Sequence, residues 1–148
     1  MASSEKRITA YRIVAPRWVD TAFSGDGAQK FGGRWNSPGR RVVYLANSRA
    51  LAALETLVHL TTPGSRAKAF VIIPTSIPIT GVISAEITTE PRATGDPWIT
   101  NRRSLALRVP SAIVPGEFNF LLNPSHPDFS KIEAGDPQPF GFDDRLWP

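Results

Sequence analysis

Residues 32–60 read GGRWNSPGRRVVYLANSRALAALETLVHL, and the order of elements within this stretch decides the fold class. It opens on the paired glycines Gly32 and Gly33 and runs through Arg34-Trp35-Asn36-Ser37 into Pro38-Gly39. Proline then glycine suits the central positions of a type II turn, because proline presets φ and glycine accepts a positive one. Val42 to Ala46 (VVYLA) is a run of β-formers, so Arg34 to Ala46 is predicted to form a β-hairpin. From Asn47 to Leu60 the pattern becomes helical. Asn47 or Ser48 can cap the helix by accepting an orphan backbone N–H, and alanine and leucine are strong helix formers. Leu51, Leu54 and Val58 fall at i, i+3 and i+7, which predicts an apolar stripe facing the core. Thr61-Thr62-Pro63-Gly64 stops the helix.

On the N-terminal side, Arg7 to Val14 (RITAYRIV) reads as a strand and residues 1–6 as a frayed polar start. Thr21 to Gly33, with Ser24-Gly25-Asp26-Gly27, reads mostly as loop. On the C-terminal side, Ala69 to Ile73 reads as a buried strand and Ile77 to Glu86 as a broken strand with prolines at its edges. Asp96 to Ser104 is predicted as a second helix, capped by Asp96 with Pro97 at its first position. Leu105 to Val114, split by Pro110, and Phe118 to Leu122 read as further strands. Asn123-Pro124 and His126-Pro127-Asp128 mark turns, and the chain from Asp136 to Trp147 reads as irregular. Many short strands with one strong helix early give an α+β class, a single compact domain over residues 1–148.

The 148-residue length suits one domain, and fourteen prolines with eleven glycines argue against a helix bundle. Seventeen basic and thirteen acidic side chains leave a net charge of +4. That excess suits an anionic small molecule, an acidic protein or weak nucleic-acid contact equally, and the absence of a like-charge run argues against a nucleic-acid tail. There is no cysteine, which excludes disulfides, thiolate metal sites and a cysteine nucleophile. With only His59 and His126, a histidine-rich metal site is not expected. No apolar leader and no apolar run of about 18 residues is present, so a cytoplasmic protein without membrane contact is expected.

Three residues stand out chemically. At about 100° per residue, Glu55 lies about 40° from Leu51 and about 60° from Val58, at the margin of the apolar stripe. Either it faces solvent or pairs with an arginine, or the helix lines a cleft and aims the carboxylate into it. Arg34 follows two glycines that permit close approach of a ligand, and its guanidinium fork matches phosphate oxygens; it can equally be a surface arginine beside a tight turn. No P-loop or GxGxxG accompanies it. Tyr44 lies in an apolar strand, as a core residue or as a flat platform for an aromatic ligand, and the hairpin register decides whether it faces Arg34. His59, one turn past Glu55, and His126 have weaker claims. A triad of Ser111, His126 and Asp128 lacks a nucleophile-elbow sequence.

Taken in order, Tyr11-Arg12-Ile13, Gly32-Gly33-Arg34-Trp35-Asn36-Ser37-Pro38-Gly39, Val43-Tyr44, Ala53-Leu54-Glu55, Val109-Pro110-Ser111-Ala112, Leu122-Asn123-Pro124 and His126-Pro127-Asp128 resemble the RES domain of bacterial toxin–antitoxin pairs. The family is named for an arginine, a glutamate and a serine. The resemblance implies an ADP-ribosyltransferase-like fold and an enzyme that binds NAD+ and cleaves its nicotinamide–ribose bond. It implies either NAD+ depletion or transfer of ADP-ribose to a protein, with no cofactor beyond NAD+ as substrate. It also implies an Xre-type antitoxin that binds the toxin in an oligomer and touches DNA on its behalf. Carried onto this chain, it implies that Glu55 stabilises the oxocarbenium-like state and Arg34 holds the pyrophosphate. Tyr44 walls in the nicotinamide, and Trp35 is a pocket wall or a core residue. Ser111 hydrogen-bonds ribose or orients the attacking group, with Ser125 as the rival serine.

Overall fold

The computed structural model describes residues 5–146. Eight strands lie in one sheet: β1 (Arg7–Val14), β2 (Val43–Ala46), β3 (Phe70–Pro78), β4 (Val82–Ser84), β5 (Ala106–Pro110), β6 (Phe118–Leu122), β7 (Glu133–Ala134) and β8 (Gln138–Phe140). The order is β4-β5-β6-β2-β1-β3-β7, and β8 shares the outer edge of β3 with β7. All pairings are antiparallel except that of β4 with β5. The helices are α1 (Asp26–Phe31), α2 (Arg49–Leu57), α3 (Pro63–Arg66) and α4 (Pro91–Thr100). The class is α+β, as the sequence implies.

Alternation along the strands divides the core in two. One face of the sheet carries Ala10, Val43, Leu45, Ile77, Phe120 and Leu122, covered by Phe23, Phe129 and Ile132. The opposite face carries Leu107, Val109 and Leu121, on which Trp35, Trp98 and Ile99 pack, and Ala46, on which α2 packs through Leu51 and Ala52. Helices α2 and α4 therefore lie on the same side of the sheet. The candidate residues Tyr44, Glu55 and Ser111 gather there.

Strands β1 and β6 keep the predicted bounds. β3 runs further than Ala69 to Ile73, because β1 pairs with it from Val14↔Val71 to Arg7↔Pro78. The predicted hairpin does not form. Residues 32–41 join no strand, and β2 instead pairs all four residues with β6 and one with β1. The cause is Asn36, fully buried, whose Nδ2 donates to the carbonyl oxygens of Ala28, Ser37 and Arg40 at 2.9, 3.3 and 3.2 Å. The segment coils around that side chain rather than laddering with a neighbour. Pro38-Gly39 still turns the chain, with Gly39 at φ 103°.

Other expectations need correction, although the Ser48 cap is one of the two that the sequence offers. α2 is capped by Ser48, whose hydroxyl accepts from Leu51 N at 3.1 Å, and it ends at Leu57. Its buried residues are Leu51 and Ala52, whereas Leu54 and Val58 are 41% and 46% exposed. Small Ala52 lets the helix approach Ala46 closely, which turns the leucine–valine pair outward. The glycine-rich segment before Arg34 contains α1 instead of being mostly loop. α4 begins at Pro91, so Asp96 and Pro97 lie within the helix and Asp96 caps nothing. The chain after Asp136 is not wholly irregular, since β8 docks on β3 and Phe142 meets Phe70 and Phe140 edge to face. Trp147 and residues 1–4 fall outside the described residues, while Glu5 and Lys6 are tied down by Thr80 and Ile79 rather than frayed. Among the described residues no helix is long and apolar enough to cross a membrane.

Candidate active site

On α2, Glu55 lies about 40° from Leu51 and about 60° from Ala52, between the two residues that bury the helix. Its carboxylate thus faces the sheet. There Ser111 Oγ donates to Glu55 Oε2 at 3.0 Å, and Asn119 Nδ2 donates to the same oxygen. Among the described residues nothing bonds Oε1. The serine is itself pinned: its hydroxyl accepts from the backbone N–H of Ile113 and of Val114, both at 3.1 Å. One donated and two accepted bonds use the whole capacity of a hydroxyl. Ser111 therefore orients the carboxylate through its position at the end of β5. Ser125 lies beyond the far end of β6 from Asn119 and is exposed, so it does not join this group.

Asn119 joins the group although no motif in the sequence singles it out. It sits in FNFLL, where Phe118, Phe120 and Leu122 point one way and Asn119 and Leu121 the other. A polar amide on the helix-covered face of an otherwise apolar strand was the available signal. Its Oδ1 is buried without a hydrogen-bond partner, a cost of about 1–3 kcal/mol that a structure carries at a working site more readily than elsewhere.

Tyr44 shares this face. It pairs with Leu121 while Ala46 pairs with Asn119, so Tyr44 and Asn119 are diagonal neighbours with side chains about 7–8 Å apart at their bases. The tyrosine hydroxyl accepts from Trp35 N at 3.0 Å and donates to Asn36 Oδ1 at 2.7 Å. Burial pushes its pKa up to about 12, against the opposing influence of the Trp35 bond and the Arg92 charge. The hydroxyl is thereby committed to the loop that carries Arg34, and the ring is what remains for a ligand. Trp35 is 4% exposed and packed with Trp98 and Leu121, so of its two expected roles the structure gives it the core one. Arg34 itself is exposed and bonds nothing among the described residues.

The loop is clasped from the other side by α4. The Asp96 carboxylate accepts from Ser37 N at 2.8 Å and from Ser37 Oγ at 2.6 Å. Burial alone raises the Asp96 pKa, but these two bonds with the nearby Arg40 and Arg92 outweigh it and hold the carboxyl below its ordinary 3.8. Gly95 abuts Trp35 so closely that a Cβ there would lie 1.8 Å from the Trp35 carbonyl oxygen. Arg92 Nε donates to Gly33 O at 3.0 Å. From behind, Arg12 Nε and Nη1 donate to the carbonyls of Ala22 and Tyr44 at 2.6 and 3.1 Å, with its pKa lowered to about 10 by burial, so it is still charged at neutral pH.

The remaining candidates do not assemble. His59 is exposed in the turn after α2, and His126 Nδ1 accepts from the backbone of Asp128 at 3.0 Å. Ser111 bonds Glu55 and not His126, so no triad forms. Among the described residues no three His, Asp or Glu side chains cluster as a metal site. Two shallow cavities of about 310 and 390 Å³ lie away from Glu55, one between β3 and β7 and one beneath the C-terminal segment.

A mixed sheet carries on one face a helix-borne carboxylate bonded to Asn119 and an arginine-bearing loop bonded to Tyr44, and this defines the class as a small α+β protein. The match to known families is specific. The RES domain matches residues 9–143, and the chain belongs to that family. It is 38% identical to Toxin Res of Yersinia enterocolitica over 92% of this chain and 97% of that protein. It is 39% identical to the Prs ADP-ribosylating toxin of a Sphingobium species over 83% of this chain and 85% of that protein. In fold it is similar to a chain of the M. tuberculosis MbcT–MbcA toxin–antitoxin complex, with TM-score 0.72 at 17% identity over 93% of this chain and 86% of the other.

Proposed function

We propose that this protein is the toxin of a bacterial toxin–antitoxin pair and that it cleaves the nicotinamide–ribose bond of NAD+. The observation that carries the reading is the Glu55 carboxylate, held on one oxygen by Ser111 and Asn119 with the other free, on the sheet face that also carries Tyr44 and the Arg34 loop. In the reaction the bond from ribose C1′ to the pyridinium nitrogen breaks, its electron pair returns to the ring, and nicotinamide leaves neutral. The leaving group is already cationic, so no strong acid is required. Positive charge spreads over the ribose carbon and ring oxygen, as in glycoside hydrolysis, until water bonds to C1′ and gives up a proton to solvent, leaving ADP-ribose. A fixed carboxylate stabilises that charge without reorganising, and Oε1 is available for it or for a ribose hydroxyl. Arg34 binds phosphate oxygens, the Tyr44 ring walls the nicotinamide, and Ser111 acts through Glu55.

Purified protein incubated with NAD+ is expected to release free nicotinamide. Glu55→Gln lowers the rate about a hundredfold to a thousandfold while thermal unfolding stays near wild type. Folded wild-type protein that releases none overturns the reading.

The name of the Sphingobium relative favours a second outcome at the same site, in which a protein side chain rather than water attacks C1′. Label from adenine-tagged NAD+ accumulating on one host protein, with little bulk NAD+ loss, identifies that outcome. We further propose an Xre-type antitoxin that occludes this face, where Leu54, Val58 and Ile113 are 41%, 46% and 38% exposed. A complex that leaves Glu55 open to solvent contradicts that proposal.

A further inference from the structure

Arg92 is the residue of the Arg34 loop environment that neither the sequence pattern nor the proposed chemistry has employed. It belongs to α4, 58 positions further along the chain than Arg34, yet its Nε donates to the carbonyl of Gly33, the peptide that joins Gly33 to Arg34. Its guanidinium lies close to both glycines. A Cβ on Gly32 would meet Arg92 Nη2 at 2.9 Å, and a Cβ on Gly33 would meet the Tyr44 hydroxyl at 2.6 Å. The absence of side chains at both glycines is what lets the arginine and the tyrosine close on the loop from two directions.

The charge around this loop is unevenly matched. Arg41 is paired with Asp26, and Arg40 lies 3.9 Å from Asp96 and 3.2 Å from the Thr100 hydroxyl. Arg34 and the two terminal nitrogens of Arg92 bond nothing among the described residues. Asp96, whose carboxylate feels the Arg92 charge, has both oxygens engaged by Ser37. Two exposed guanidiniums thus belong to one loop, one covalently and one through a hydrogen bond, and neither forms an ion pair among the described residues. Guanidinium presents paired N–H donors at the spacing of two phosphate oxygens.

We propose that Arg92 and Arg34 together form the binding site for the pyrophosphate of a dinucleotide, with Arg92 a substrate-binding residue that the loop glycines exist to admit. This rests on the reading that the substrate is NAD+. Arg92 Nε keeps the Gly33 carbonyl while Nη1 and Nη2 face the ligand, so the same side chain fixes the loop and binds the anion.

The two roles separate in Arg92→Gln, which keeps a donor for the Gly33 carbonyl and removes the charge, and in Arg92→Lys, which keeps the charge and loses the fork. The first measurement is calorimetric titration of the whole protein with inorganic pyrophosphate, which needs no turnover. Wild type is expected to bind, and Arg92→Gln and Arg34→Ala are each expected to weaken binding about tenfold or more, with Arg92→Lys intermediate. The second is the preference for NAD+ over nicotinamide riboside, which lacks the pyrophosphate, as a ratio of kcat/KM. Arg92→Gln is expected to reduce that ratio about tenfold, chiefly through the KM for NAD+. Pyrophosphate that fails to bind wild type, or binds Arg92→Gln equally well, overturns the proposal. So does a loss of NAD+ and riboside cleavage in equal proportion, which marks a purely structural arginine. Wild type that binds pyrophosphate and cleaves neither substrate overturns the NAD+ reading and leaves the anion site standing.

Discussion

Glu55 and the Arg34 loop share one sheet face but are held by different means. The glutamate stands on a regular helix, and two strand-borne side chains, Ser111 and Asn119, reach a single one of its oxygens. The loop has no ladder of its own. Asn36 folds it from inside, Tyr44 holds it from the sheet, and Gly95, Asp96 and Arg92 close it from α4. Disturbing the first region changes the aim of one carboxylate, whereas disturbing the second loosens a whole segment. The difference teaches that the carboxylate is a local device and the arginine a tertiary one, so substitutions around them should divide into catalytic and structural effects.

The largest effect is expected from Gly95→Ala, whose Cβ would lie 1.8 Å from the Trp35 carbonyl oxygen, backbone that cannot simply rotate away. Denaturant unfolding should show a loss of about 3 kcal/mol or more. A near-neutral result would mean that loop and helix are not packed as one unit. Tyr44→Phe comes next, at about 1–3 kcal/mol, because it strands the buried Asn36 Oδ1 and the Trp35 N–H. It should leave the bonds to Glu55 untouched, which sharpens the separation of the two regions.

Asp96→Asn exchanges a charge-assisted pair of bonds for neutral ones, a loss of about 1 kcal/mol at neutral pH. The folded pKa of Asp96 is depressed, so its contribution is present in full above the unfolded value, ordinarily 3.8, and is lost as the pH falls through the folded one. The gap between wild type and Asp96→Asn in unfolding free energy should therefore close in acid. A gap that is constant with pH contradicts the ionic character of this clasp. The smallest effects are expected from Leu54→Ser and Val58→Ser, below about 1 kcal/mol each, since the residues are 41% and 46% exposed and neither belongs to a buried core cluster. A loss of several kcal/mol would restore the apolar stripe that periodicity suggested.

Legibility followed the same division. β1, β6 and the existence of α2 were readable because alternation and helix propensity act over neighbouring residues. Glu55 stands out because a carboxylate amid leucines and alanines breaks a local pattern. The stripe assignment failed at Leu54 and Val58 because periodicity sets angular spacing and not which arc meets the sheet; Ala46 and Ala52 decide that through close approach. The hairpin failed because Asn36 and Asp96 satisfy the loop through side chains far apart in sequence, and no window around Pro38-Gly39 contains Asp96. Asp96 looks like a helix cap from its neighbours alone for the same reason: its partner is Ser37, 59 positions away. Asn119 was within reach, as the one amide on the inward face of β6.

The account depends on both regions serving one ligand. Hydrogen exchange of the Glu55→Gln protein with and without NAD+ tests this most directly, since the substitution is expected to retain the fold and slow consumption of the ligand. Slowed exchange is expected together in residues 33–37 and in residues 111–119. Slowing in one segment alone, or in neither at saturating NAD+, would contradict it.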